Sequence, residues 1–149
     1  MQANNILVAV DFSKGGDVAF ELAESLARDA KATLHIAHVK EPFHIYQSES
    51  HLAKVPAYGT LDELKKGLEK IVPADPSIAH QHWLLTSEDV VHGILKLAGD
   101  LKIDLIVIGT HGRTGLARVM MGSVAEGVLR RAACPVLTVR QPQHSNEPA

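Results

Sequence analysis

The sequence predicts a single α/β domain built on an open parallel sheet of five strands, with helices on both faces. Short, continuously apolar segments alternate with longer segments whose apolar residues recur at helical spacing. This alternation is typical of parallel sheets, in which crossover helices cover both faces of every strand. The length of 149 residues suits one core, and 46% apolar with 21% charged residues is an ordinary globular composition.

The first three predicted elements are a strand, a helix and a second strand. Ile6–Asp11 is a continuous apolar run that ends in an acid, as a buried parallel strand does. Ser13 is the candidate N-cap of the helix that follows. One face of that helix carries an apolar stripe of Val18, Leu22 and Leu26, with Ala19, Ala23 and Ala27 beside it. Thr33–Val39 predicts the second strand.

A polar loop comes next and leads to a helix, a strand and another helix. Apolar residues at helical spacing predict the second helix over 61–72, and Pro73 stops it. His80–Leu85 predicts a third strand, whose lower apolar content favours a place nearer an edge of the sheet. Thr86 with Asp89 resembles a capping box before the third helix. The apolar face of that helix consists of Val90, Val91, Ile94, Leu95 and Ala98.

The last part of the chain predicts a strand, a glycine-punctuated loop, a helix and a final strand. Ile103–Ile108 is the fourth strand, and the loop Gly109–Ser123 follows it. The helix after the loop places Val124, Ala125, Val128, Leu129 and Ala132 on one side. Pro135–Arg140 predicts the fifth strand. We expect one domain over residues 1–141 and a polar C-terminal tail over 142–149.

Charge and composition argue against several classes of function. The formal net charge is −2 and the pI is about 6.5, so no basic surplus points to nucleic acid or to an anionic membrane. A single cysteine, Cys134, rules out an internal disulfide framework and fits a reducing compartment. No secretory signal and no apolar run of about 20 residues is visible. We therefore expect a cytoplasmic protein without membrane insertion.

The loop Gly109–Ser123 carries the strongest chemical signal in the chain. Its glycines allow backbone amides to approach an anion without a Cβ in the way. Gly122 and Ser123 open a helix, where free amides and the helix dipole favour phosphate, and Arg113 offers a charge-assisted contact. The alternative is a glycine-rich surface loop in which Ser123 is an ordinary N-cap. The spacing matches neither a Walker loop nor a Rossmann fingerprint.

Topology adds a reason to expect a nucleotide. Open α/β sheets bind ligands at the carboxyl ends of strands where the strand order reverses. If the order is 3-2-1-4-5, that crevice lies between the first and fourth strands, and Asp11 ends the first and Gly109 the fourth. A carboxylate would repel phosphate, so Asp11 fits this site only if it contacts the sugar hydroxyls or the base of a nucleotide. We therefore expect the base and ribose near Asp11 and Val39, and the phosphates near Gly112 and Ser123.

At these residues the chain resembles the universal stress protein family. The nucleotide-binding branch of that family carries Gly, two residues, Gly, nine residues, and then Gly-Ser or Gly-Thr. Gly109, Gly112, Gly122 and Ser123 match this pattern without a gap. The segment from Gly109 to Arg140 resembles the family's C-terminal signature almost throughout, and LVAVDFS at 7–13 resembles its first strand. The resemblance covers nearly the whole chain.

The resemblance implies an adenine nucleotide alpha hydrolase-like fold with strand order 3-2-1-4-5, and a bound ATP. It implies that the ATP phosphates contact Gly112, Gly122, Ser123 and the Val124 amide. The resemblance supports a contact with Arg113 less strongly. It further implies that Asp11 contacts ribose or base, and that Ala9 and the Val39 backbone border adenine. A homodimer paired through Pro135–Arg140 is also implied, which suits an apolar edge strand. Many relatives have Gly and Pro after the third strand, where this chain has Thr86–Asp89.

Nine histidines raise the question of a metal site. His80 and His82 alternate on a strand and are expected to be neighbours, whereas His35 and His38 are expected to face opposite ways. No cysteine, carboxylate or third histidine stands at zinc-ligand spacing, so we assign no protein metal ligands. Mg²⁺ is expected only as an ion carried by the nucleotide phosphates.

No nucleophile–base pair and no acidic pair for two metals is visible, so we assign no catalytic residues. The favoured function is an ATP-dependent regulatory or stress-response module, in which ATP occupancy changes the surface of the dimer and a protein partner recognises the change. The alternative is a slow ATPase or a nucleotidyl-transferring enzyme of the same architecture. Adenylate-forming relatives carry Ser-Gly-Gly-x-Asp-Ser after the first strand, and Asp-Phe-Ser-Lys-Gly-Gly-Asp at 11–17 does not match it.

Overall fold

The five strands lie close to the segments that the sequence predicts. A computed structural model describes residues 2–41, 60–110 and 121–141. At residues 14 and 15 it describes the backbone alone. The strands are β1 (Asn5–Ala9), β2 (Thr33–Lys40), β3 (His80–Thr86), β4 (Leu105–Gly109) and β5 (Val136–Val139). Most of the predicted polar loop after β2, most of the glycine-punctuated loop and the predicted tail 142–149 lie outside the described residues.

All of the strand pairings are parallel, and the order is β3-β2-β1-β4-β5. This confirms the predicted fold class and order. β3 lies at one edge, as its lower apolar content predicts, and β5 lies at the other. β1 is central, and its last residue, Ala9, is in register with Ala37 of β2 and Ile108 of β4.

The described residues form four helices between the strands, and each begins at or near a predicted boundary. They are α1 (Lys14–Ala30), α2 (Leu61–Glu69), α3 (Val90–Asp100) and α4 (Ser123–Arg131). Ser13 caps α1 by accepting from the Gly16 amide, which confirms the predicted N-cap. Thr60 and Glu63 form a capping box at α2. None of the described helices combines the length and apolar character needed to cross a bilayer.

The core consists of two apolar layers, one on each face of the sheet. Alternate strand residues point to opposite faces. Ile6, Val8, Leu34, Ile36 and Val107 pack with α1 and α2 on one face. Leu7, Ala37, Ile106 and Ile108 pack with α3 and α4 on the other. The central strands are thus covered on both sides, which explains their continuous apolar runs.

Some predicted boundaries were wrong by one or two residues, for local reasons. β1 ends at Ala9 and not at Asp11, because Phe12 takes a left-handed backbone conformation (φ 64°) that turns the chain out of the sheet. The fourth strand begins at Leu105 and not at Ile103. Thr86 belongs to β3, and Asp89 itself caps α3 by accepting from the His92 amide at 3.2 Å.

Candidate functional site

The strand order places one crevice at the carboxyl ends of β1 and β4. From β1 the chain continues to β2 on one side, whereas β4 lies on the other side and leads to β5. α1, which follows β1, packs on one face of the sheet and α4, which follows β4, packs on the other. In open α/β sheets, ligands bind beyond the carboxyl ends of two strands related in this way. Asp11 follows β1, and Thr110 follows β4. The crevice between β1 and β4 is the candidate site.

The two ends of the glycine-punctuated loop meet at this crevice. The Gly122 amide donates to the Thr110 carbonyl at 2.5 Å, and the Thr110 amide donates to the Val139 carbonyl of β5 at 2.9 Å. The loop thus leaves β4 at Gly109 and returns beside its end at Gly122, directly before α4. Residues 111–120, which include the predicted site residues Gly112 and Arg113, lie outside the described residues.

α4 begins differently from the other three helices. Ser13, Thr60 and Asp89 accept amide hydrogen bonds with their side chains, whereas the N-cap of α4 is Gly122, which makes no side-chain cap bond. The N-cap assignment made in the alternative is therefore wrong: Ser123 is the first helical residue, and its side chain is exposed. The first amides of this helix need partners from outside the helix, and an anion is one such partner.

Two of the predicted contacts, Val124 and Ala9, lie at the apolar edge of the crevice. Val124 is half-buried in the first turn of α4 and packs on the apolar layer under α3 and α4. Ala9 is half-buried at the end of β1 and packs on the same layer. The acid in the first turn of α4, Glu126, is paired with Arg130 at 2.8 Å. This pairing reduces the repulsion that a carboxylate there exerts on an anion.

Asp11 is held at the beginning of α1. Its Oδ1 accepts from the Ser13 amide at 3.0 Å and also from the Ser13 hydroxyl. The same hydroxyl accepts from the Gly16 amide at 3.1 Å, so carboxylate and helix cap form one network. A Cβ at Gly16 would lie 3.2 Å from Asp11 Oδ1, so a side chain at this position would crowd the carboxylate. Asp11 is therefore a fixed, half-buried hydrogen-bond acceptor beside the crevice.

The backbone of Val39 is directed toward the crevice. Successive residues of a strand turn their N–H and C=O groups to alternate neighbours. Leu34 donates to the chain before β3, whereas Ala37 accepts from the Val10 amide on the β1 side at 2.8 Å. Val39, two positions after Ala37, therefore turns its N–H and C=O toward the β1 side, where β1 has already ended. The side chain of Val39 is buried against the beginning of α3.

Two buried histidines on β2 belong to networks that sequence reasoning did not find. His35 lies 3.1 Å from Asn5 Oδ1 through Nε2, and its Nδ1 accepts from the Trp83 indole N–H at 3.1 Å. His38 packs against Phe12 on the other face of the sheet, which bears out the expectation that His35 and His38 face opposite ways. The alternation of strand side chains predicted their opposite faces, but no pattern in the sequence predicted their hydrogen-bond partners.

The remaining histidines do not converge on a metal centre in the described part of the chain. The rings of His80 and His82 are neighbours, as predicted, with centroids 5.4 Å apart. His82 bonds the Ile71 carbonyl through Nε2 at 2.7 Å, which ties β3 to the end of α2. No group of three or more His, Cys, Asp or Glu side chains able to hold a metal occurs among the described residues. Burial raises the pKa of the Cys134 thiol, which disfavours a reactive thiolate there.

Comparisons of sequence and of structure with known proteins identify the same family. The family model described as the universal stress protein family matches residues 3–140. Universal stress protein A homolog 1 of Coxiella burnetii is 35% identical over 147 residues, which cover 93% of this chain and 97% of that protein. The solved structure of universal stress protein UspA from Lactobacillus plantarum superposes with a TM-score of 0.73 at 27% identity, over 94% of this chain and 99% of that one.

A further solved structure is described as a universal stress protein in complex with cAMP. It superposes with a TM-score of 0.63 at 25% identity, and the match covers 95% of this chain and 100% of that one. That relative is therefore a protein of the same fold, matched over its whole chain, that holds an adenine nucleotide.

Proposed function

This chain belongs to the universal stress protein family, and we propose that it is an ATP-binding module with a regulatory role in the stress response. The observation that carries the proposal is the beginning of α4 at the crevice. Its N-cap, Gly122, has no side chain that could cap the first amides of the helix, whereas the N-cap side chains of α1, α2 and α3 each accept from an amide. The cAMP complex of a relative matched over its whole chain supports an adenine nucleotide as the class of ligand.

The proposed phosphate contacts come from both ends of the glycine-punctuated loop. We assign Gly109, Gly112, Gly122, Ser123 and the Val124 amide to the phosphates, with Arg113 as a charged contact. The contact between Thr110 and Gly122 supports this assignment, because it brings the end of β4 next to the beginning of α4. Gly122 has no Cβ to obstruct an anion, and the dipole of α4 favours negative charge at this end. Mg²⁺ would arrive with the phosphates and needs no protein ligand set of its own.

The proposed base and ribose contacts lie on the β1 and β2 side of the crevice. The Asp11 carboxylate is an acceptor for the ribose hydroxyls or for the exocyclic amine of the base. Ala9 supplies apolar contact, and the Val39 backbone offers one donor and one acceptor side by side. Because Asp11 is fixed by Ser13, it is oriented before the ligand arrives, and less conformational entropy is lost on binding.

We further propose that the protein is a cytoplasmic homodimer joined through β5, and that a protein partner recognises its nucleotide state. β5 is an edge strand of four residues. Pro135 O accepts from Ile106 of β4, and Val139 O accepts from Thr110 directly after β4, so the backbone groups of Val136 and Thr138 turn outward. An outward row of this kind is a template for pairing with a second strand.

Isothermal titration with ATP, ADP and AMP, each with and without Mg²⁺, tests the proposed function. The protein is first freed of any co-purified nucleotide. We expect ATP to bind at micromolar concentration and the affinity to fall as phosphates are removed, because each phosphate adds contacts to the amides of α4 and its loop. Equal affinities for all three would show that the β- and γ-phosphates do not contribute to binding, and binding of none would refute the proposed function.

A further inference from the structure

The ladder between β1 and β2 stops at a position where a side chain replaces a backbone bond. The Val10 amide donates to the Ala37 carbonyl at 2.8 Å, as a parallel ladder requires. The next bond of that ladder would join the Val39 amide to the Val10 carbonyl. In the described part of the chain, the Val10 carbonyl is instead 2.7 Å from Nδ1 of His38. A carbonyl only accepts, so the imidazole nitrogen is the donor.

The His38 ring has little freedom to move away from that carbonyl. It is 8% exposed, and its centroid lies 4.7 Å from that of the Phe12 ring, at an angle of 51°. Phe12 is in turn backed by α2, since a Cβ at Gly67 would lie 3.7 Å from its ring. Phe12 has a φ of 64°, so the chain turns out of the sheet at the residue that packs on His38. The imidazole and the turn after β1 are therefore parts of one packed unit.

We propose that His38 is a positioning residue, whose Nδ1–H holds the Val10 carbonyl and thereby keeps the Val39 peptide groups available to the purine base. This inference rests on the proposed nucleotide-binding function. Without the imidazole donor, the Val10 carbonyl accepts from the Val39 amide, and the ladder extends by one bond over the floor of the crevice. With the imidazole donor in place, Val39 presents its N–H and its C=O in the same direction, toward the space above β1.

This pair of groups matches adenine and not guanine. Adenine offers an acceptor, N1, next to a donor, its 6-amino group. Guanine offers a donor, N1–H, next to an acceptor, O6, so both contacts to the same peptide groups would fail. Leaving a buried polar group unpaired costs more than a made hydrogen bond contributes, so the mismatch gives discrimination. His38 therefore contributes to selectivity for the base without touching the nucleotide.

Two isosteric substitutions separate the donor from the packing. His38→Asn places an amide N–H close to the position of Nδ1, and His38→Leu has the same shape without a donor. Both variants lose the contact between the imidazole and Phe12, so any purely structural effect is common to them. We expect His38→Leu to bind ATP about tenfold more weakly than His38→Asn, the effect of losing one hydrogen bond in a buried site. The ratio of ATP to AMP affinity stays unchanged, because the phosphate contacts are untouched.

Amide hydrogen exchange of Val39, measured by NMR on the nucleotide-free protein, tests the inference without a ligand. We expect fast exchange in the natural sequence and in His38→Asn, and slow exchange in His38→Leu, where the amide joins the ladder. Equal exchange in both variants together with equal ATP affinity would overturn the role of His38 and leave it as a packing residue. If the natural protein binds no adenine nucleotide, the proposed function fails, while the exchange comparison still decides whether His38 controls the Val39 amide.

Discussion

His35 and His38 show how much the surroundings of one residue type differ within a single strand. They lie three positions apart on β2, so their side chains point to opposite faces of the sheet. His35 lies between Asn5 and Trp83 on the side of α3, whereas His38 lies against Phe12 on the side of α1 and α2. The composition of nine histidines suggested metal chemistry, but these two act through hydrogen bonds to their own sheet.

The His35 network predicts a loss of stability in acid. Burial lowers the pKa of His35 below its ordinary value, and its Nδ1 must stay unprotonated to accept from Trp83. Below a pH of about 6.5 the unfolded chain takes up a proton that the folded protein resists, so stability falls as the pH falls. The loss from this group is at most about 1.4 kcal/mol per pH unit.

Urea unfolding at pH 7.5 and pH 5.5, followed through the fluorescence of the single tryptophan, Trp83, measures this loss. We expect the stability of the natural sequence to decrease more between the two pH values than that of His35→Gln, which does not titrate. An identical decrease in the two proteins would assign the acid sensitivity to other groups.

At the scale of helices and strands, local sequence signals predicted the elements well and their ends less well. Apolar periodicity located the five strands and four helices of the described residues, because burial on one or both faces determines the spacing of apolar residues. It missed the end of β1, since no local rule predicts that Phe12, a bulky residue, adopts a positive φ. The preference of serine for N-caps made Ser123 the N-cap in the alternative interpretation of the loop, but the N-cap is Gly122 and Ser123 is the first helical residue.

The contact between α3 and α4 predicts opposite effects of one substitution at two helical glycines. A Cβ at Gly127 of α4 would lie 2.7 Å from Val91 Cγ2, whereas a Cβ at Gly99 of α3 meets nothing within 4 Å. Valine is stiff about χ1 and cannot easily move aside. We expect Gly127→Ala to lower the free energy of unfolding by about 1 kcal/mol, and Gly99→Ala to raise it by about 0.5–1 kcal/mol.

Chemical denaturation of the two variants beside the natural sequence measures both effects under the same conditions. Gly99→Ala serves as the control for helix propensity, because it adds the same methyl group in open space. A stabilising effect at Gly127 as large as that at Gly99 would mean that the two helices are not in close contact there.

At the scale of the whole molecule, the strand order explains why the site lies where it does. The sequence supplied the number of strands, their parallel direction and the resemblance from which the order followed. It could not supply the long-range contacts that shape the crevice, such as the bond from His38 to Val10 or the one from Gly122 to Thr110. Those contacts depend on which residues the sheet brings together, and periodicity along the chain carries no information about them.

The proposed dimer predicts a specific effect of proline in the edge strand β5. Thr138 turns its amide away from β4, so Thr138→Pro removes an outward donor without breaking the ladder inside the domain. Charged substitutions are less suitable here, because Val139 is buried and Leu137 packs on the core. We expect the natural sequence to sediment as a dimer and Thr138→Pro as a folded monomer.

Analytical ultracentrifugation of both proteins at one concentration, with Thr138→Val as the control, measures this effect. A Thr138→Pro variant that stays dimeric would move the interface away from β5. If the natural protein sediments as a monomer, the proposed dimer is wrong.

The central claim, that the beginning of α4 holds the phosphates, is tested most directly by titrating ATP into Gly122→Asp and Gly122→Asn. Asp and Asn are both favoured N-caps, so each is expected to cap α4 and preserve the fold, but only Asp adds a negative charge where phosphate would lie. At about 4 Å that charge opposes phosphate by several kcal/mol, so we expect ATP affinity to fall at least a hundredfold in Gly122→Asp and less in Gly122→Asn. Unchanged ATP affinity in a folded Gly122→Asp variant would contradict the account.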